Sequence, residues 1–167
     1  MFFRIKKIKG KEYAYIVENE WLNKCSRQKV KGYLGRAYRF ELKNNVDFLS
    51  YLNIGDIKNY IEENDIKKII NDLIEWEFFK FNVNKNDFST DVNNKIIQKN
   101  KKNVVLLIND GFMCFLTLQN LLEFKPDGNE ESDGYRLARA LVEAGIRVPQ
   151  EIFIGLFGKL YKTRDHN

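Results

Sequence analysis

Over the first 34 residues, apolar and polar positions alternate with a period of two. Phe3 and Ile5 fall on one side of an extended segment, and Arg4, Lys6 and Ile8 on the other. Lys9-Gly10-Lys11 reads as a turn, because glycine tolerates positive φ. Glu12–Asn19 is aromatic and β-branched, as strands are. Asn23-Lys24 is the next turn. Arg27–Leu34 alternates again, which places Arg27, Lys29, Lys31 and Tyr33 on one face and Gln28, Val30, Gly32 and Leu34 on the other. The three runs predict an antiparallel meander with one cationic, tyrosine-bearing face and one apolar face.

From Asp47 the period changes to near 3.6. Short helices are predicted over Asp47–Leu52 and Asp56–Glu62. A long one follows over Asp65–Phe81, with Ile66, Ile69, Ile70, Leu73 and Trp76 on one stripe and Asn64 as its N-cap. Phe88–Gln98 and Val104–Asn109 read as a hairpin around Lys99–Asn103. Val104–Ile108 is apolar on both faces, which predicts a strand covered on both sides. Phe112–Leu122 reads as helix, and Pro126-Asp127-Gly128 as loop. Asp133–Ala144 and Pro149–Tyr161 form a predicted helical hairpin, with Gly145 closing the first helix and Pro149 opening the second. The fold class is therefore α+β: an N-terminal three-stranded antiparallel sheet, then a mainly helical body with a second β-hairpin and a C-terminal helical hairpin. The polar stretch Phe40–Asn45 marks the expected boundary between a basic β module (residues 1–41) and an α-rich body (residues 46–163).

Charge sharpens this picture. Residues 1–41 hold eleven bases and four acids, a balance of +7, whereas the whole chain of 167 residues carries +5. Positive charge gathered at one end predicts a partner bearing phosphates. Cys25 and Cys114 lie far apart, in no CxxC pair, and His166 is the only histidine. Two free thiols in a reducing compartment follow, and a His/Cys metal site lacks its ligands. Phe2-Phe3 runs straight into Arg4, so no signal-length apolar core is visible, and no apolar run approaches a membrane span. A cytoplasmic protein without membrane contact, cofactor or metal is expected.

Lys9-Gly10-Lys11-Glu12-Tyr13-Ala14-Tyr15-Ile16-Val17-Glu18, then Arg27-Gln28-Lys29-Val30 and Tyr33-Leu34-Gly35-Arg36, form a distinctive series. It resembles the small N-terminal β module that precedes the catalytic domain of DDE-type insertion-sequence transposases and of some archaeal Fic-type proteins. The likeness covers about a quarter of the chain. The three-carboxylate transposase domain does not fit in the remaining length, and the His-Pro-Phe and Gly-Asn-Gly-Arg motifs of Fic proteins are absent, so it carries over no catalytic residue. It implies a portable basic module that helps larger proteins hold nucleic acid. Beyond residue 41 the chain loosely resembles small archaeal proteins of no assigned activity.

The leading functional expectation is a non-enzymatic accessory protein that binds nucleic acid, RNA or DNA, with little sequence preference. Arg4, Lys6, Arg27, Lys29, Lys31 and Arg36 would contact phosphates, and Tyr13, Tyr15 and Tyr33 would stack on bases or pack on sugars. The bland alternative is a solvated face whose lysines protect a sheet edge. The last helix is too apolar around its circumference to read bases, since its cations come only at its end, at Lys159, Lys162 and Arg164. It is a core helix or, through Ile152, Phe153, Leu156 and Phe157, an interface with a second copy or another protein. A third reading, a degenerate metal-dependent nuclease, would use Glu75, Glu77 and Asp91. It lacks the acid and lysine expected on Asn103–Ile108, and Lys95 and Lys101 sit at the wrong spacing. No strand–glycine loop–helix phosphate motif is present, the lone terminal histidine leaves no Ser/His/Asp triad, and Cys25 has no histidine base, although Lys24 and Arg27 flank it.

Overall fold

A computed structural model describes residues 1–22 and 25–162. The expected turn at Asn23-Lys24, and also Arg164 and His166, lie outside the described residues. The class is α+β. Strands β1 (Phe2–Ile8), β2 (Lys11–Leu22) and β3 (Cys25–Arg39) are followed by helices α1 (Phe48–Leu52), α2 (Ile57–Glu63) and α3 (Ile66–Lys80). Four short strands come next: β4 (Ser89–Asp91), β5 (Ile96–Lys99), β6 (Lys102–Ile108) and β7 (Gly111–Met113). Helices α4 (Phe115–Leu122), α5 (Glu130–Glu143) and α6 (Gln150–Lys162) complete the chain.

Local chemistry explains the boundaries. Side chains of Asp47, Asp56, Asp65 and Asn129 accept the orphan backbone N–H of Ser50, Lys58, Lys68 and Ser132 at the starts of α1, α2, α3 and α5. Asn64, expected to cap α3, instead ends α2, and Asp65 holds the cap. Three hairpins turn on residue pairs with positive φ: Lys9-Gly10, Asn100-Lys101 and Asn109-Asp110. Such pairs match the right-handed strand twist.

The sheet runs in the order β1-β2-β3-β6-β5-β4, and β7 also pairs with β6. All pairs are antiparallel except β3 with β6, where Arg36 to Arg39 run parallel to Val104 to Leu107. One hydrogen-bonded sheet crosses the expected division at residues 41–46, with β3 on its N-terminal side paired to β6 on the other. The pairing of β7 with β6 corrects the helix expected over Phe112–Leu122. Its first residues form β7 against Leu106–Ile108, and α4 starts only after Cys114.

Two apolar clusters sandwich β6. On one face, α3, α5 and α6 pack over Val104, Leu106, Ile108 and Ile97. On the other, Ala14, Leu34, Ala37, Val105, Leu107 and Cys114 pack with Phe3, Ile5 and the start of α4. Helix α6 packs chiefly on α2 and α3, and α5 on α4 and β7, so these two helices are not primarily each other's partners. Among the described residues, every buried side-chain polar atom has a hydrogen-bond partner.

Candidate nucleic-acid interface

Residues paired across an antiparallel ladder share a face, so the register decides where each cation stands. Between β1 and β2 it is regular: Arg4 pairs with Tyr15 and Lys6 with Tyr13. Between β2 and β3 it shifts twice. Tyr13 pairs with Arg36 and Tyr15 with Tyr33, which leaves Leu34 as an extra residue. Ile16 pairs with Gly32 and Val17 with Val30, which leaves Lys31 as another. Each extra residue is a bulge, and each reverses the alternation along β3.

The consequence is a division of the expected cationic face. Arg4, Lys6, Tyr13, Tyr15, Tyr33 and Arg36 share one face. Lys29 and Arg27 stand on the opposite face, across from Glu18 and Glu20. Lys29 Nζ donates to Glu20 Oε1 at 2.8 Å, and Lys31 Nζ lies 2.8 Å from Glu18 Oε2. Hydrogen bonding and attraction between Lys31 and Glu18 push the ammonium up and the carboxyl down from their ordinary values. Arg39 Nη2 lies 3.3 Å from Glu12 on that same side. The expectation that Arg27, Lys29 and Lys31 share a surface with Tyr33 is thus corrected. The physical cause is the Lys31 bulge.

The tyrosine face is cohesive. Tyr33 lies 5.3 Å from Tyr15 and 6.4 Å from Tyr13, ring centre to ring centre. Burial, followed by the adjoining Tyr15, Tyr13 and Tyr38, pushes the Tyr33 phenol up, although more than half of its surface remains exposed. Lys6 sits over the Tyr15 ring at 5.1 Å, and Arg36 over Tyr38 at 4.8 Å. Lys99, brought in by β5, lies 5.4 Å from the Tyr38 ring and 4.6 Å from Phe88. The strand positions of this face between Phe2 and Tyr38 carry no carboxylate. Chemically, it offers aromatic planes flanked by guanidinium and ammonium groups. Tyr38 and Lys99 were absent from the sequence-predicted set. Tyr38 follows Arg36 by two residues and so had a signal, whereas Lys99 joins only through the β3–β6–β5 pairing.

The other candidate residues are dispersed. Ile152 and Leu156 are wholly buried within their own chain, and Phe153 and Phe157 stack on each other against the same core. Ile152 and Leu156 are therefore core residues and not a free interface. Glu75 pairs with Lys85. Glu77 is fully buried, Asp91 accepts from Asn94 in its own turn, and the three acids serve three separate structural contacts. Among the described residues, no group of three or more His, Cys, Asp or Glu is placed to hold a metal ion. Cys25 is exposed, while Cys114 is buried and its thiol is pushed up by that burial. No helix of the described residues is long and apolar enough to cross a membrane.

Comparison with family models, with curated proteins and with solved structures found no match for this chain.

Proposed function

We propose that the protein is a non-enzymatic accessory factor that binds nucleic acid with little sequence preference through the tyrosine face of its sheet. The observation that carries this reading is the acid-free surface on which Arg4, Lys6 and Arg36 border Tyr13, Tyr15 and Tyr33. Aromatic planes stack on unpaired bases of any sequence, and flanking cations neutralise the backbone between them. Stacking needs unpaired bases, so single strands fit this surface better than duplex. Arg27, Lys29 and Lys31 take no part, because Glu18 and Glu20 meet that group on the far side. The likeness of residues 9–36 to the β module of transposases and Fic-type proteins supports the same reading.

Fluorescence anisotropy with a labelled single-stranded RNA of random sequence tests it. Binding at low salt should weaken steeply as salt rises. Arg4→Glu and Tyr33→Leu should each weaken it, by about tenfold for the base-stacking loss, whereas Lys29→Glu should leave it near the parent value. Absence of binding at low salt, or equal damage from Lys29→Glu and Arg4→Glu, overturns the proposal.

A further inference from the structure

Strand β1 stops pairing at Val17, but β2 and β3 continue together, with Glu18–Leu22 against Cys25–Lys29. This two-stranded arm has two unlike sides. On one, Glu18 and Glu20 stand across the ladder from Lys29 and Arg27, and ion pairs from Lys31 to Glu18 and from Lys29 to Glu20 neutralise much of the charge. The other side carries no charge. Its positions on β2 are Val17, Asn19 and Trp21, opposite Val30, Gln28 and Ser26 on β3. Alternation along β2 is unbroken, because both extra residues of the ladder lie on β3. Trp21 therefore shares its side of the sheet with Tyr13 and Tyr15.

Tryptophan is a highly buried residue on average, yet Trp21 is 79% exposed. The chain's other tryptophan, Trp76, is buried, and its ring N–H donates to the Val46 carbonyl oxygen at 2.8 Å. Six residues of extended strand separate Trp21 from Tyr15, about 20 Å. One base cannot bridge that span. A strand stacked on the tyrosines meets Trp21 only with a further base, several nucleotides along. Val17 and Asn19 lie between them on this side and place no carboxylate in the path.

We propose that Trp21 is a second stacking platform for single-stranded nucleic acid, so that the ligand runs from the tyrosine cluster along β2 to the end of the arm. This rests on the tyrosine face as a nucleic-acid surface, and it adds a contact residue and a length to that surface. Arg4, Lys6 and Arg36 hold the backbone at the broad end of the sheet, and Trp21 holds a base beyond their reach. An aromatic plane takes any base, so the added contact brings affinity without sequence preference. A track of this length suits the site sizes of about 4–16 nucleotides known for other single-strand platforms.

The test titrates the full chain at low salt with two end-labelled dodecamers: oligouridine, and an abasic strand that keeps the phosphates but lacks the bases. Anisotropy gives the affinity. Tryptophan emission reports Trp21, since Trp76 is already shielded from solvent. Oligouridine should change the emission of the parent protein, and the abasic strand should not. Trp21→Leu should weaken oligouridine binding by about tenfold and leave abasic binding at the parent value, which also shows that the variant is folded. Trp21→Phe, which keeps a ring, should lose less. The salt dependence should be the same for all three proteins, since stacking releases no counterions. Trp21→Leu binding oligouridine as tightly as the parent, or losing equally on both strands, overturns the proposal. A protein partner at Trp21 would give the first of these results. If Tyr33→Leu still weakens binding in that case, the tyrosine face stands and only the extension to Trp21 falls. Absence of oligouridine binding by the parent removes both.

Discussion

Asp133 is a wholly buried carboxylate at the start of α5, and its hydrogen bonds determine its charge. Burial alone would push the group up. It is outweighed by a hydrogen bond from the Tyr161 hydroxyl at 2.5 Å, by the N–H groups of Asp127 and Gly128, and by the Arg136 guanidinium at 2.7 Å. The result is a pKa pulled down to about 2 from an ordinary 3.8. The unfolded chain therefore takes up a proton first as pH falls. The stability owed to this group is complete above about pH 4 and drains away towards pH 2. Asp133→Asn should lower the urea midpoint at neutral pH and flatten its decline over that acid range. Equal acid slopes for both proteins would refute this. Asp133 shows where residue-level reading stops. As Asp-Gly within α5 it looks like an ordinary first-turn acid, and only the fold, which brings the 125–129 loop and Tyr161 of α6 to it, reveals its donors.

At the scale of elements, the junctions hold the information that periodicity lacks. Helix α3 was legible from its isoleucine stripe, yet three charged residues on it, Asp72, Glu77 and Lys80, are buried, and Glu77 meets neighbours far along the chain. Glu77 accepts from Asn109 Nδ2 at 2.8 Å in the β6–β7 turn and from the Arg147 backbone N–H at 2.9 Å before α6. Its Oε2 also lies 3.0 Å from Lys80 Nζ. Lys80 in turn lies 3.6 Å above the Trp76 ring. Removing one partner strands the other in a dry site, so Glu77→Ala should cost about 3–5 kcal/mol in a denaturant titration. Glu77→Gln, which keeps an acceptor for Arg147, should cost less. Two further element-scale features were illegible for a common reason. The parallel β3–β6 contact joins residues almost seventy positions apart, and β7 continues into α4 with no polar break. Gly35 marks the first of them. Its φ is 130°, and a Cβ would lie 2.2 Å from the Asn103 carbonyl oxygen. Gly35→Ala should therefore destabilise by about 2 kcal/mol or more, seen as a lower midpoint with an unchanged denaturant slope. A neutral effect would mean that the two strands separate at this point more readily than their pairing implies.

For the whole molecule, the sequence disclosed how much positive charge the N-terminal segment carries but not which way it points. Two bulges, at Leu34 and Lys31, decide that, and neither has a composition or spacing that an alternating pattern would flag. The difference is measurable. Each phosphate contact to a single strand contributes about −0.7 to the slope of log binding constant against log salt. A surface using all six cations named from sequence would approach about −4 by this rule. The tyrosine face offers Arg4, Lys6 and Arg36, with Lys99 beside Tyr38, so the proposed interface should give about −2 to −3. Neutralising a contributor by Arg4→Gln should make the slope shallower by about 0.7. Lys29→Gln should leave it unchanged, because that ammonium already faces Glu20 across the ladder. Tyr33→Leu should weaken binding at every salt concentration without altering the slope, since stacking releases no counterions. A slope that responds to Lys29 as it does to Arg4 would show that the strand from Cys25 to Lys31 contacts the ligand after all, and the division of charge between the two faces would then lose its functional meaning.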